Sequence, residues 1–275
     1  MVFESLTDEE LLKEAVNIVE TAKNSGITIR VLGAIAVFLH SLHDLTAINL
    51  YEKIKRLGEN KSKFTDLDLI GYGQQRKQIM HFFEKILCFK PNLMENVLFG
   101  SKRLIYSHPK GFYHVDIFFD KLEFSHDVHF GEKIGKGRLE LDYPTITLAD
   151  IVLEKVQIHN ISLKDIIDLI VLFASHDVDL THDKEVIDGN YIAKVLADDW
   201  GFWYDAVHNL EVVQRFSSKF YSENKLVKEV HNLISNRIDK LLKIIDETPK
   251  TKNWLKRAKI GTSKPWYREV EEVIR

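Results

Sequence analysis

The chain has 275 residues, of which 45% are hydrophobic and 29% charged, with a formal net charge of -3. This composition excludes a disordered chain and a fibrous repeat, and the near-neutral charge gives no whole-chain reason to bind nucleic acid, so any basic surface must be local. The single cysteine, Cys88, excludes an intramolecular disulfide and a cysteine-based zinc site; its apolar neighbours Phe82, Ile86, Leu87 and Phe89 predict a buried small hydrophobe. The first residues lack the basic start and apolar core of a signal peptide, and no later run is long enough to span a bilayer. The expectation is a cytoplasmic protein with no membrane partner.

Thr7 followed by Glu10 is a capping box, and Leu11, Ala15, Ile18, Val19 and Ala22 follow at helical spacing until Gly26, so the first element is a helix. Ile27 to Leu32 is rich in β-branched residues and predicts a strand. Gly33 lets the backbone turn tightly into a helix running to about His40, whose first amides can face an anion. Leu45, Ile48, Leu50, Tyr51, Ile54 and Leu57 suggest a further helix, and residues 58–62 a solvated loop.

The stretch from Phe64 to Ile70 is the focus of the chain. In an extended strand, alternate side chains share a face, so Asp66 and Asp68 project together while Leu67 and Leu69 point the other way. Two like charges so placed raise each other's pKa unless a cation lies between them. Mg²⁺ accepts carboxylates together with substrate phosphates and answers that need. Residues 74–89 have a helical pattern that Pro91 ends. Arg103 to Ser107 and Phe112 to Phe119 read as a hairpin through residues 108–111, and the second strand carries Asp116 in an apolar run, where an acid is costly unless paired or bound to metal.

These three places, Leu32-Gly33-Ala34, Asp66-Leu67-Asp68 and Asp116, resemble the signature of the nucleotidyltransferase superfamily that includes DNA polymerase beta. The likeness extends over roughly residues 27–175 and is nearest to the AbiEii-type toxin nucleotidyltransferases and their small stand-alone relatives. It implies an α/β (α+β) fold in which a mixed β-sheet is flanked by helices, and marks residues 44–63 as an insertion. Ala34 stands where the superfamily has a second Gly or a Ser; its amide can donate to a phosphate, but the serine hydroxyl is missing. By residue matching, Lys155 and Asp165 take the places of a lysine and a downstream aspartate that help form the nucleotide pocket. Lys61 or Lys63 would contact a phosphate or stand as surface lysines.

Gly131 to Gly137 reads as a loop, Leu139 to Ile146 as a short strand interrupted at Pro144, and Thr147 and Ser162 as caps of two helices. Beyond Asp183 the apolar spacing of three and four residues predicts helices throughout. The organisation expected is a catalytic domain over 1–146 and a helical C-terminal bundle over 147–275. The basic, aromatic end, with Lys250, Lys256, Arg257, Trp254, Trp266 and Tyr267, can bind a nucleic-acid backbone, but is more simply a final helix whose tryptophans pack on the core.

The resemblance implies transfer of an NMP from an NTP to an acceptor hydroxyl, with release of pyrophosphate. Asp66 and Asp68 would hold two Mg²⁺ ions, and Asp116 the one that activates the acceptor. The acceptor stays open between a tRNA end, a protein hydroxyl and a small molecule, and a cognate antitoxin follows by analogy alone. Two other readings stand beside this one. One is a nucleotidyltransferase-like module that binds nucleotide without turnover. The other is a metal-dependent phosphohydrolase using His126, Asp127 and His129, or His176, Asp177 and His182.

Overall fold

The computed structural model describes residues 6–54, 56–58, 62–181 and 183–270. Lys61 and His182, singled out above, lie outside the described residues. The protein is a mixed α+β chain that divides into two compact units. The first comprises Met1–Leu39, Leu57–Leu122 and His129–Thr147, and the second His40–Arg56, Glu123–Val128 and Leu148–Arg275. The division falls at Thr147, but the second unit also takes residues 40–56 and 123–128 from the range that the pattern of elements assigned to the first domain.

In the first unit, helix α1 (Asp8–Asn24) opens on the expected capping box. The Thr7 amide donates to the Glu10 carboxylate (2.8 Å), and the Glu10 amide donates to the Thr7 hydroxyl (3.2 Å). All five apolar residues named for its inner face are buried. Strand β1 (Ile29–Leu32) runs directly into α2 (Gly33–Ser41). The sheet continues with β2 (Asp66–Gly71), β3 (Lys90–Pro91), β4 (Arg103–Ser107) and β5 (His114–Phe119). These five strands lie in the order β1-β2-β5-β4-β3. β2 and β5 pair in parallel, and the other neighbours pair antiparallel. One face of the central strands, carrying Leu67, Leu69, Val115 and Ile117, is fully buried. That apolar packing fixes the register and so decides what the opposite face presents.

The expected helix over 74–89 changes character midway. It begins as α-helix α4 (Arg76–His81) and widens into a π-helical turn at Phe82–Ile86. The wider turn rotates the following side chains off the buried face. Ile79, Phe82 and Phe83 stay in the core, whereas Ile86 is 52% exposed. Cys88 comes next, in the left-handed region at φ 58° and exposed, which corrects the expectation of a buried thiol. Leu139–Ile146 forms turns in place of the expected strand, with only a bridge from Thr145 to Val31. A short helix, α5 (Leu93–Phe99), lies outside the elements expected from the sequence; none of its side chains is buried, and its apolar residues Leu93, Met94, Val97 and Leu98 are exposed.

The second unit is built from α3 (Leu45–Ile54), α6 (Leu148–Val156), α7 (Leu163–Ser175), α8 (Gly189–Leu196), α9 (Trp200–Ser222), α10 (Lys228–Glu247) and α11 (Lys252–Ala258). α6 and α7 are buried along nearly their whole length, as central helices of a bundle are. The stretch after Asp183 is not wholly helical, since Val186–Asp188 pairs in parallel with Asp177–Asp179. Three residues are too few to show a period-2 pattern, and tertiary pairing decides their conformation. The terminal aromatics pack within this unit: Trp254 meets Trp203 edge-on at 5.1 Å, and Tyr267 stacks on His159 at 3.6 Å. Among the described residues, no helix is long and apolar enough to cross a membrane.

The exposed Cys88 gives a direct check on the π-turn. The native full-length chain should react with a thiol-specific chromogenic disulfide at one equivalent without denaturant. Protection until unfolding would show that the residue is buried and the helix regular.

Candidate active site and a buried ion cluster

β2 and β5 run side by side, with Asp66 opposite His114, Asp68 opposite Asp116 and Ile70 opposite Phe118. Laterally paired residues of neighbouring strands point to the same face. Asp66, Asp68 and Asp116 therefore share one face, with Asp68 and Asp116 adjacent across about 4.8 Å of strand spacing. Asp116 is 6% exposed and the other two are half-buried. Arg103, on β4, brings its guanidinium to 3.6 Å from the Asp116 carboxylate and lies over the Phe99 and Phe118 rings at 5.1 and 5.7 Å. Hairpin register places Arg103 on this face, one pleat along from Ile105, the partner of Asp116. Nothing in its local sequence marks it as part of the site.

Gly33 closes the arrangement from the β1 side, where Leu32 pairs with Asp68. Its φ is +71°, in the left-handed region that favours glycine. A Cβ built there would stand 2.8 Å from Asp68 Oδ2 and 3.6 Å from its Cβ and Cγ. Any other residue would thus strain the turn and push the carboxylate aside. Ala34 follows in the first turn of α2, where helix geometry leaves amides without intrahelical acceptors. Lys63 lies 3.6 Å from Asp8 and 5.9 Å from the Phe38 ring, within the same unit.

The donor set fits Mg²⁺ on its own chemistry. Three carboxylates share one sheet face, and the Asp68 carboxylate lies where a side chain at Gly33 would stand; hard oxygen donors of this kind are those that Mg²⁺ accepts.

Lys155 and Asp165, the two residues assigned to a nucleotide pocket by resemblance, lie in the second unit and are bonded to each other at 3.0 Å. The same ammonium is 3.1 Å from Asp168 and 3.7 Å from Glu154. Asp168, fully buried, also accepts two hydrogen bonds from Arg56, at 2.6 and 2.9 Å, and one from the Tyr51 hydroxyl at 3.1 Å. Burial opposes the Lys155 charge, but the surrounding carboxylates outweigh it and push its pKa up. Burial likewise opposes ionisation of Asp165, and Lys155 with the Ser162 hydroxyl more than offsets it, holding that carboxyl below its usual range. Arg56 could not be found from sequence, since 112 residues separate it from Asp168.

The histidines are placed differently from the clusters suggested by their spacing. His126 donates to Asp205 at 2.8 Å, and the same carboxylate accepts from His159 (2.9 Å) and Trp266 (3.0 Å), while Asp127 pairs with Arg268. Asp205 is 2% exposed; burial raises its pKa, but these three donors prevail and lower it. His126, Asp127 and His129 therefore do not gather as one group: a buried carboxylate claims His126 and an arginine claims Asp127. No protein-family model, curated protein or solved structure matches the chain.

Lys155→Met should destabilise the protein by about 3–5 kcal/mol in urea unfolding, because it leaves buried carboxylates uncompensated. Asp165 contributes stability that is present above its unfolded pKa of 3.8 and lost as pH falls through the lower folded value. The wild type should therefore lose more stability on acidification below pH 3.8 than Asp165→Asn. A Lys155→Met protein of unchanged stability that fails only to bind nucleotide would assign the lysine to a nucleotide pocket instead.

Proposed function

We propose that the chain is a Mg²⁺-dependent nucleotidyltransferase that moves an NMP from an NTP to an acceptor hydroxyl. One observation carries this reading: the register that sets Asp68 beside Asp116 on parallel strands, on the face that also presents Asp66. Carboxylates from distant parts of the chain share a face against their mutual repulsion, and a site for divalent cations and phosphate explains why they would.

Asp66, Asp68 and Asp116 are the metal-holding residues in this reading. When bound, Mg²⁺ would supply Lewis acidity at the α-phosphate and favour ionisation of the acceptor hydroxyl. The hydroxyl gives its proton to solvent, its oxygen bonds to the α-phosphorus as the bond to the α,β-bridging oxygen breaks, and pyrophosphate leaves. The chain's own residues position and neutralise. Gly33 keeps the backbone close to Asp68, and the amides at the start of α2, from Ala34 onward, offer donors to phosphate oxygens at the positive end of a helix. Arg103 brings a fixed positive charge to 3.6 Å from the Asp116 carboxylate and orients it. Such a site works mainly through placement and electrostatics, so carboxylate loss removes turnover without removing the fold.

The test is transfer of ³²P from α-labelled NTPs, with Mg²⁺, to tRNA, protein and aminoglycoside acceptors. Wild type should label one acceptor class, and Asp66→Ala and Asp116→Ala should each fall by about 10³-fold or more, with thermal unfolding close to wild type. Equal labelling by all three proteins would refute the assignment. Mg²⁺-dependent NTP binding without any product would favour the binding-module reading.

A further inference from the structure

The second unit brings together three side chains that play no part in the acidic site. His43 follows α2, His176 caps the C-terminus of α7, and Glu185 stands immediately before the short strand Val186–Asp188. One ligand atom from each lies within 4.8 Å of those of the other two.

The hydrogen bonds around them fix what the rings present. His43 Nδ1 donates to the His40 carbonyl at 2.9 Å, and His176 Nδ1 donates to the Glu185 carbonyl at 3.1 Å. A carbonyl can only accept, so in each neutral ring the proton is on Nδ1 and Nε2 carries a bare lone pair. A backbone carbonyl on the far nitrogen is the usual means of orienting a metal-binding histidine. His176 is 1% exposed, and its Nε2 has no hydrogen-bond partner. A buried acceptor left in that state bears the full desolvation cost of the group, which a bound cation relieves. The His40 and His43 rings approach it edge-on, with centroids 5.9 and 5.1 Å away.

We propose that His43, His176 and Glu185 form a Zn²⁺ site in the second unit. Two imidazoles and one carboxylate suit Zn²⁺, whereas Mg²⁺ selects oxygen ligands alone. Ligand bonds of about 2.0–2.1 Å in tetrahedral geometry require ligand atoms about 3.4 Å apart. His43 and Glu185 are exposed and can close that distance onto the fixed, buried His176. Glu185 serves twice, its carbonyl orienting His176 and its carboxylate binding the ion. With three protein ligands the fourth position takes water, and the ion links His43 to the distant His176–Glu185 stretch.

The full-length chain, stripped with a chelator, is titrated with Zn²⁺ against a chromophoric competitor. The expected result is one tight equivalent in wild type, weakened by about tenfold or more in both His43→Ala and Glu185→Gln. These two positions are exposed, so the variants retain the fold, which circular dichroism checks. X-ray absorption at the zinc edge should show two imidazoles, and Zn²⁺ should raise the melting temperature of wild type but not of either variant. Asp66→Asn, in the first unit, should keep the tight equivalent, which separates this site from the acidic one. Equal Zn²⁺ affinity in wild type, His43→Ala and Glu185→Gln, or loss of the tight equivalent in Asp66→Asn alone, would overturn the proposal.

Discussion

Two carboxylates held side by side on neighbouring strands repel each other, and the candidate active site follows from that constraint. The mutual repulsion of two unit charges 4–5 Å apart is on the order of 3–4 kcal/mol at a surface-like dielectric. The sheet does not avoid it, because the opposite faces of β2 and β5 carry Leu67, Leu69, Val115 and Ile117, whose burial locks the register. Slipping one strand by a single residue would separate the acids but turn these side chains out of the core. Arg103 offsets part of the repulsion from one side. The bare Cα of Gly33 leaves room for the Asp68 carboxylate, and in the proposed reading a divalent cation binds on this face.

The second unit solves a charge problem by the opposite means. There the carboxylates of Asp165, Asp168 and Glu154 meet Lys155 and Arg56 directly. Asp168 accepts from Tyr51, lies 3.1 Å from the Lys155 ammonium and forms a two-pronged pair with Arg56. Such a cluster ties α3, α6 and α7 together, and removing one member leaves the others buried without compensation.

Much of this was legible in the sequence where a local rule governs. The capping box at Thr7 and Glu10, the helix start at Gly33 and the alternation that aligns Asp66 with Asp68 each depend on residues a few positions apart. The hairpin that carries Asp116 was legible too, because its two apolar runs flank a short turn. What could not be read was decided by distant partners. The adjacency of Asp68 and Asp116 is a matter of strand register. Arg103 enters through a neighbouring strand, and Arg56 through contact with Asp168 across 112 positions. The exposure of Cys88 follows from a π-turn that leaves no mark in apolar spacing, and the grouping of His176 with His43 joins residues far apart along the chain.

The most direct measurement is crystallography of the full-length chain soaked with Mn²⁺ and a non-hydrolysable NTP analogue, using anomalous scattering to locate the metal. The account predicts Mn²⁺ bound by Asp66, Asp68 and Asp116, with phosphate oxygens at the first turn of α2. Manganese and nucleotide bound elsewhere, with these three carboxylates untouched, would contradict it.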